Sequence, residues 1–178
     1  MTERTPLACA CGEVRLVVSG RPIIATECCC TSCRTAAGRL GALPGASGLL
    51  NAHGGTHFVL YRKDRIDILS GADCLAEFRL AADSPTRRIV ATCCNTPVFL
   101  EFQNGHWLSL YAGLWPAGAA PAATVRTMTQ DLPAGTALDD SVPSGRRATL
   151  GFYARLLGAW IAMGFRTPKL SVPARLDL

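Results

Sequence analysis

The chain is short of charge. Lys, Arg, Asp and Glu make up only 17% of its 178 residues while 49% are apolar, which excludes a disordered, self-repelling polymer and points to a well-buried globule. No internal repeat marks the text. Long apolar runs are missing too. The greasiest stretch, RRATLGFYARLLGAWIAMGFR, holds about eighteen residues between Arg147 and Arg166 and carries Arg155 in its middle, whereas a spanning helix needs roughly 20 nearly uncharged residues. No membrane span is expected. The opening MTERTPLACACGEV lacks a basic start followed by an apolar core, so the sequence reads as that of a reducing, cytoplasmic compartment.

A strong basic character is also missing. The formal charge of +5 (18 Lys and Arg against 13 Asp and Glu) is dispersed, as in Arg62, Lys63 and Arg65 or Arg87 and Arg88, with no regular aromatic interleaving. Seven thiolates on two divalent zinc ions would add −7 + 4 = −3 and leave about +2, because zinc-bound cysteine is deprotonated. A nucleic-acid partner is therefore not expected.

Against these absences stand nine cysteines. All but Cys74 fall in three groups: Cys9 and Cys11; Cys28, Cys29, Cys30 and Cys33 in ECCCTSCR; and Cys93 with Cys94. In a reduced compartment such clusters read as metal ligands before they read as disulfides. Cys9, Cys11, Cys93 and Cys94 are assigned to a closed, structural four-thiolate site, which can form only if the chain turns at the adjacent pair, since successive strand residues face opposite sides. Cys28-x-Cys30-x-x-Cys33 offers three thiolates on a loop around a second metal. That leaves an open position for catalysis, unless His53 or a held water closes it. Two zinc ions per chain are expected.

The rest of the text is mostly strand-like. Short segments at Glu13 to Val18, Thr56 to Tyr61, Ile66 to Leu69, Ala76 to Leu80, Arg88 to Thr92, Pro97 to Phe102 and His106 to Tyr111 are apolar and bounded by Gly, Asp, Asn or Pro. Gln103-Asn104-Gly105 joins the last two as a hairpin. Residues 1–116 read as one zinc-binding β domain. Residues 117–178 read as linker plus a C-terminal helix, an appendage, with Ser144 as its cap and Leu150, Tyr153, Leu157, Trp160, Ile161 and Gly164 at helical spacing. That helix packs on the β domain or on a second subunit, so a homodimer is one expectation.

Other residues have plain and functional readings. Cys29 is a solvent-facing or spare thiol, open to redox or metal exchange, while Cys74 is a small core residue. His53, in AHGGT, is either a turn residue or an acid–base group beside the open metal. Arg34 is either a plain exposed arginine or one that neutralises the three-thiolate centre or grips a substrate carboxylate. His57 and His106 read as surface or packing residues. Trp107, Trp115 and Tyr111 read as core, or as an aromatic wall beside the metal.

The pattern Cys9-x-Cys11-Gly12-x-Val14-Arg15, then Cys28-x-Cys30-x-x-Cys33-Arg34 with Gly38, then Cys94-Asn95-Thr96-Pro97, resembles the glutathione-dependent formaldehyde-activating (GFA) family, whose zinc fold is also called centromere-protein-V-like. The resemblance runs from residue 8 to about 111 and departs where the family has CxxCG: Ala91 takes the first cysteine's place, Cys93 must substitute for it, and Asn95 replaces the glycine. It implies a mainly β, zinc-stabilised sandwich or tent-like fold with a C-terminal helical extension. It further implies a carbon–sulfur lyase acting on a thiol–aldehyde adduct, with glutathione as the thiol and Cys28, Cys30 and Cys33 facing the substrate. The alternative is a non-catalytic zinc module for oligomerisation or partner binding.

Overall fold

The computed structural model describes residues 3–176. Among the described residues, eleven strands form two sheets. The smaller joins β1 (Arg4–Ala8), β2 (Arg15–Ser19) and β5 (Ile66–Ser70) in the order β1-β2-β5, all antiparallel. The larger contains β3 (Ile24–Cys28), β4 (Thr56–Arg62), β6 (Leu75–Phe78), β7 (Thr86–Ala91), β8 (Thr96–Phe102), β9 (Trp107–Tyr111), β10 (Val125–Thr127) and β11 (Ala174–Arg175). Its order is β10-β3-β4-β9-β8-β7-β6-β11, antiparallel except for the parallel edge pairs β10 with β3 and β11 with β6. The chain is mainly β, as its short apolar segments predict.

Alternation along the strands shows why three layers form. In β4, Val59 and Tyr61 join Leu16, Val18, Phe99 and Leu110 in a core shared with the small sheet, while Phe58 and Leu60 face the other way with Leu100, Tyr111 and Leu156. Both faces of the large sheet are covered, so β4 and β8 read as nearly continuous apolar text. The far face carries two helices, α1 (Thr31–Gly41) and α2 (Gly145–Ala162). Ala36 and Leu40 of α1 pack on Phe78 and Val90.

Several elements depart from the sequence reading. The CxCxxC segment is the junction of β3 and α1 rather than a loop; the helix is rich in Ala and Gly and carries too little apolar periodicity to announce itself. Residues 117–178 supply more than a linker and a helix, since β10 and β11 extend the large sheet at both edges. Helix α2 also turns a different side inward. Leu156 is buried, with Ala148 and Phe152 packed beside it, whereas Leu150, Tyr153, Leu157 and Ile161 are exposed. A helix apolar on several faces leaves periodicity unable to choose among them; the His106 ring, with Nε2 on the Leu156 carbonyl at 2.9 Å and stacked on Trp160, makes the choice. Ser144 stands at the N-cap position but makes no side-chain cap bond. In the β8–β9 hairpin, Asn104 adopts φ +60° and the Gly105 amide bonds the Phe102 carbonyl at 2.9 Å, as Asn-Gly suggests. No helix of the described residues is long and apolar enough to cross a membrane.

Candidate metal centres and their cavity

Two turns build the first cluster. After β1 the chain reverses at Cys9–Gly12, where the Gly12 amide donates to the Cys9 carbonyl at 2.9 Å and Gly12 takes φ +79°. Between β7 and β8 it reverses at Thr92–Asn95, where the Cys94 amide donates to the Ala91 carbonyl at 3.3 Å and Asn95 takes φ +55°, a left-handed conformation that Asn tolerates in place of glycine. The turn lets both adjacent cysteines face one point. Sγ of Cys93 lies 3.4 Å from Cys11, 3.8 Å from Cys9 and 3.9 Å from Cys94, and Cys9 lies 3.6 Å from Cys11. Tetrahedral thiolate coordination with metal–sulfur bonds of about 2.3 Å places sulfurs about 3.8 Å apart. The four thiols match it.

Outer contacts hold these ligands. The Val14 amide donates to Cys9 Sγ at 3.3 Å, and Thr96 Oγ1 accepts from the Ala10 amide at 3.1 Å while lying 3.1 Å from Cys94 Sγ. Burial opposes ionisation of Cys94, but the Thr96 hydroxyl and Cys11 outweigh it and draw the thiol down to about 6.

The second cluster is local. Cys28 ends β3, Cys30 is the N-cap of α1 and Cys33 lies in its first turn, so three thiols sit where the helix dipole favours negative charge. Cys30 Sγ accepts the Cys33 amide at 3.3 Å, and the Cys28 and Cys33 sulfurs are 3.7 Å apart. Hydrogen bonds with Cys28 and Cys33 pull the Cys30 thiol strongly down, while those with Cys28 and Cys30, together with burial, push Cys33 up. The three sulfurs converge on one point, a set a divalent ion fits. Among the described residues these two clusters are the ones able to hold a metal ion, and no histidine or carboxylate joins either.

The clusters differ in what lies beside them. Cys28, Cys30 and Cys33 all line a cavity of about 520 Å³ between the large sheet and α2. Phe58, Leu60, Leu100 and Trp107 form its sheet side, and Phe152 and Leu156 of α2 roof it. Arg88, on β7 and only 1% exposed, is the sole charged residue of the lining. Its Nη2 donates to the Ser32 hydroxyl at 3.0 Å and the Ser32 carbonyl at 3.2 Å. The sequence places Arg88 among the dispersed basic residues, and following Thr86 and Arg87 at the start of β7 it carries no signal that sets it apart.

The other candidate residues scatter. His53 is not brought to the thiols: its Nε2 lies 3.2 Å from Asp139, which also pairs with Arg126. Arg34 donates to the Cys29 carbonyl at 2.8 Å and does not line the cavity. Cys29 is not solvent-facing but fully buried, against Gly55, and burial followed by the neighbouring Cys28 raises its thiol to about 11. Cys74 packs at the edge of the main core. His57 Nε2 meets the Pro121 carbonyl at 3.0 Å. Of the aromatic trio, Trp107 lines the cavity, Tyr111 packs on Phe58 with ring centroids 4.8 Å apart, and Trp115 lies in the main core.

With this geometry in view, residues 5–48 match the model of the glutathione-dependent formaldehyde-activating enzyme family. Over that segment the chain is similar to the GFA family. The match covers β1 through α1, including Cys9, Cys11 and the three thiols of the second cluster, and stops before Cys93 and Cys94. No curated protein matches the chain. A crystal structure of a Rhodobacter sphaeroides protein is similar at 15% identity over 64% of this chain and 89% of that one, with a TM-score of 0.45.

Proposed function

We propose that this GFA-like chain binds two zinc ions and uses the Cys28–Cys30–Cys33 centre to take a thiol and join it to, or release it from, a small aldehyde. One observation carries this reading: the three-thiol cluster opens onto a cavity, whereas the other cluster already offers four thiols to its metal. Zinc held by three thiolates would supply a Lewis-acidic fourth position, at which a bound thiol ionises near neutral pH. The chain's own part is to hold that position beside largely apolar walls, with the helix N-terminus offsetting the thiolate charge. Addition forms a carbon–sulfur bond and passes the thiol proton to the carbonyl oxygen; the lyase direction reverses both changes. Free thiols at both centres suit a reducing, cytoplasmic setting.

Cobalt substitution tests it. Cobalt-loaded protein should change its visible spectrum on addition of 2-mercaptoethanol or glutathione, and Cys30→Ser should abolish the change. Silence toward every thiol overturns the reading.

A second reading, binding to a second copy through α2, is favoured by one observation. Leu150, Tyr153, Leu157, Ile161 and Phe165 are all more than half exposed along α2 and just past its end. Sedimentation of the full chain and of Leu157→Glu decides it: a wild-type dimer that the substitution dissociates supports it, and a wild-type monomer removes it.

A further inference from the structure

The cavity beside the second cluster has a chemistry of its own. Its lining mixes apolar and aromatic side chains with eight hydroxyl-bearing residues, and its one charged residue, Arg88, is buried. Nε and Nη1 of Arg88 have no hydrogen-bond partner, and none of the ion pairs among the described residues includes it. A buried guanidinium with donors left over is costly unless an anion meets it. Arginine recognises carboxylates well, because its planar donors match their oxygens.

We propose that this cavity binds an apolar mercaptocarboxylate, with its carboxylate on Arg88, its sulfur toward Cys28, Cys30 and Cys33, and an aromatic or branched aliphatic body against Phe58, Trp107 and Phe152. This rests on the open thiol position of the preceding section and narrows its substrate. Glutathione fits the lining poorly: it carries two carboxylates and an ammonium, and one charged residue awaits them. Burying the unpaired charges would work against binding. A volume of about 520 Å³ lies within the range of small-molecule sites.

Calorimetric titration of the zinc-loaded full chain tests the assignment. The probes are 3-phenyl-2-sulfanylpropanoate, 2-phenylethanethiol without the carboxylate, 3-phenylpropanoate without the thiol, and glutathione. The complete probe should bind at least tenfold more tightly than each of the others. Arg88→Met should abolish the advantage of the carboxylate and the binding of 3-phenylpropanoate, leaving 2-phenylethanethiol affinity and zinc content unchanged. Should Arg88→Met fail to fold, Thr149→Trp at the cavity edge should block the complete probe while 2-mercaptoethanol still shifts the cobalt spectrum. Equal binding of glutathione and the complete probe, or a carboxylate preference that survives Arg88→Met, overturns the proposal. Loss of zinc from Arg88→Met would assign the guanidinium to balancing the thiolates and overturns it as well. If 2-mercaptoethanol shifts the cobalt spectrum while these arms fail, only this proposal falls; if no thiol shifts it, the thiol chemistry falls, and 3-phenylpropanoate still reads Arg88 by itself.

Discussion

Cys11 and Cys93 stand 82 residues apart in sequence and bring their sulfurs within 3.4 Å. The contact ties the β1–β2 turn of the small sheet to the β7–β8 turn of the large one, so a metal held there would cross-link the two layers. Its ligands are scattered in the unfolded chain, and binding energy at such a site becomes folding energy.

Cys93→Ser should therefore lower bound zinc by one per chain and destabilise the fold by several kcal/mol, on the order of the loss of a structural metal ligand. Metal analysis with urea denaturation checks it. Unchanged zinc content would show that three thiolates suffice at this centre.

Cys30→Ser should also remove one zinc but cost less than Cys93→Ser, about 1–2 kcal/mol, because its partners lie within six residues and close no long loop. Equal destabilisation by the two substitutions would contradict the division into a cross-linking and a local centre.

Adjacent positions on α2 should respond differently. Leu156, 4% exposed, packs beneath the helix, and Leu156→Ala should cost about 2–3 kcal/mol; Leu157, 52% exposed, should tolerate alanine within about 0.5 kcal/mol. Denaturant midpoints compare them directly. Similar costs would mean that the outer face of α2 is covered in solution.

Acid should loosen α2. Burial, with Lys63 and Arg62 nearby, holds His106 below its usual 6.5 against the opposing bond to the Leu156 carbonyl. The folded state thus binds its proton less readily than the unfolded one, so this contribution to stability is complete above about 6.5 and declines as pH falls through 6.5 toward the folded value. Protection factors of the α2 amides, corrected for the intrinsic exchange rate, should fall over that window in wild type, and their pH dependence should flatten in His106→Gln.

Most of the β core was legible because β4, β7, β8 and β9 are short, apolar and sharply bounded. The edge strands β10 and β11 were not, since three- and two-residue strands carry no periodic signal and exist only through their neighbours. Helix α1 stayed hidden behind its Ala and Gly content. His53 shows the limit of proximity in sequence: a histidine beside two glycines invites a catalytic role, and a contact with Asp139 at 3.2 Å claims it. Cys29 shows it again, since the junction of β3 and α1 turns its side chain inward beside ligands that face the cavity.

Spacing alone settled that thiols would gather in a three-membered local set and a long-range set, because CxC and CxxC geometries can chelate whatever the rest of the chain does. Only the tertiary structure decided what each set meets. A turn at Thr92–Asn95 aimed two adjacent cysteines at one point, and the packing of α2 through Leu156 roofed the three-thiol set with an apolar cavity holding one buried arginine. Those outcomes depend on contacts between residues far apart in sequence, which no local pattern encodes.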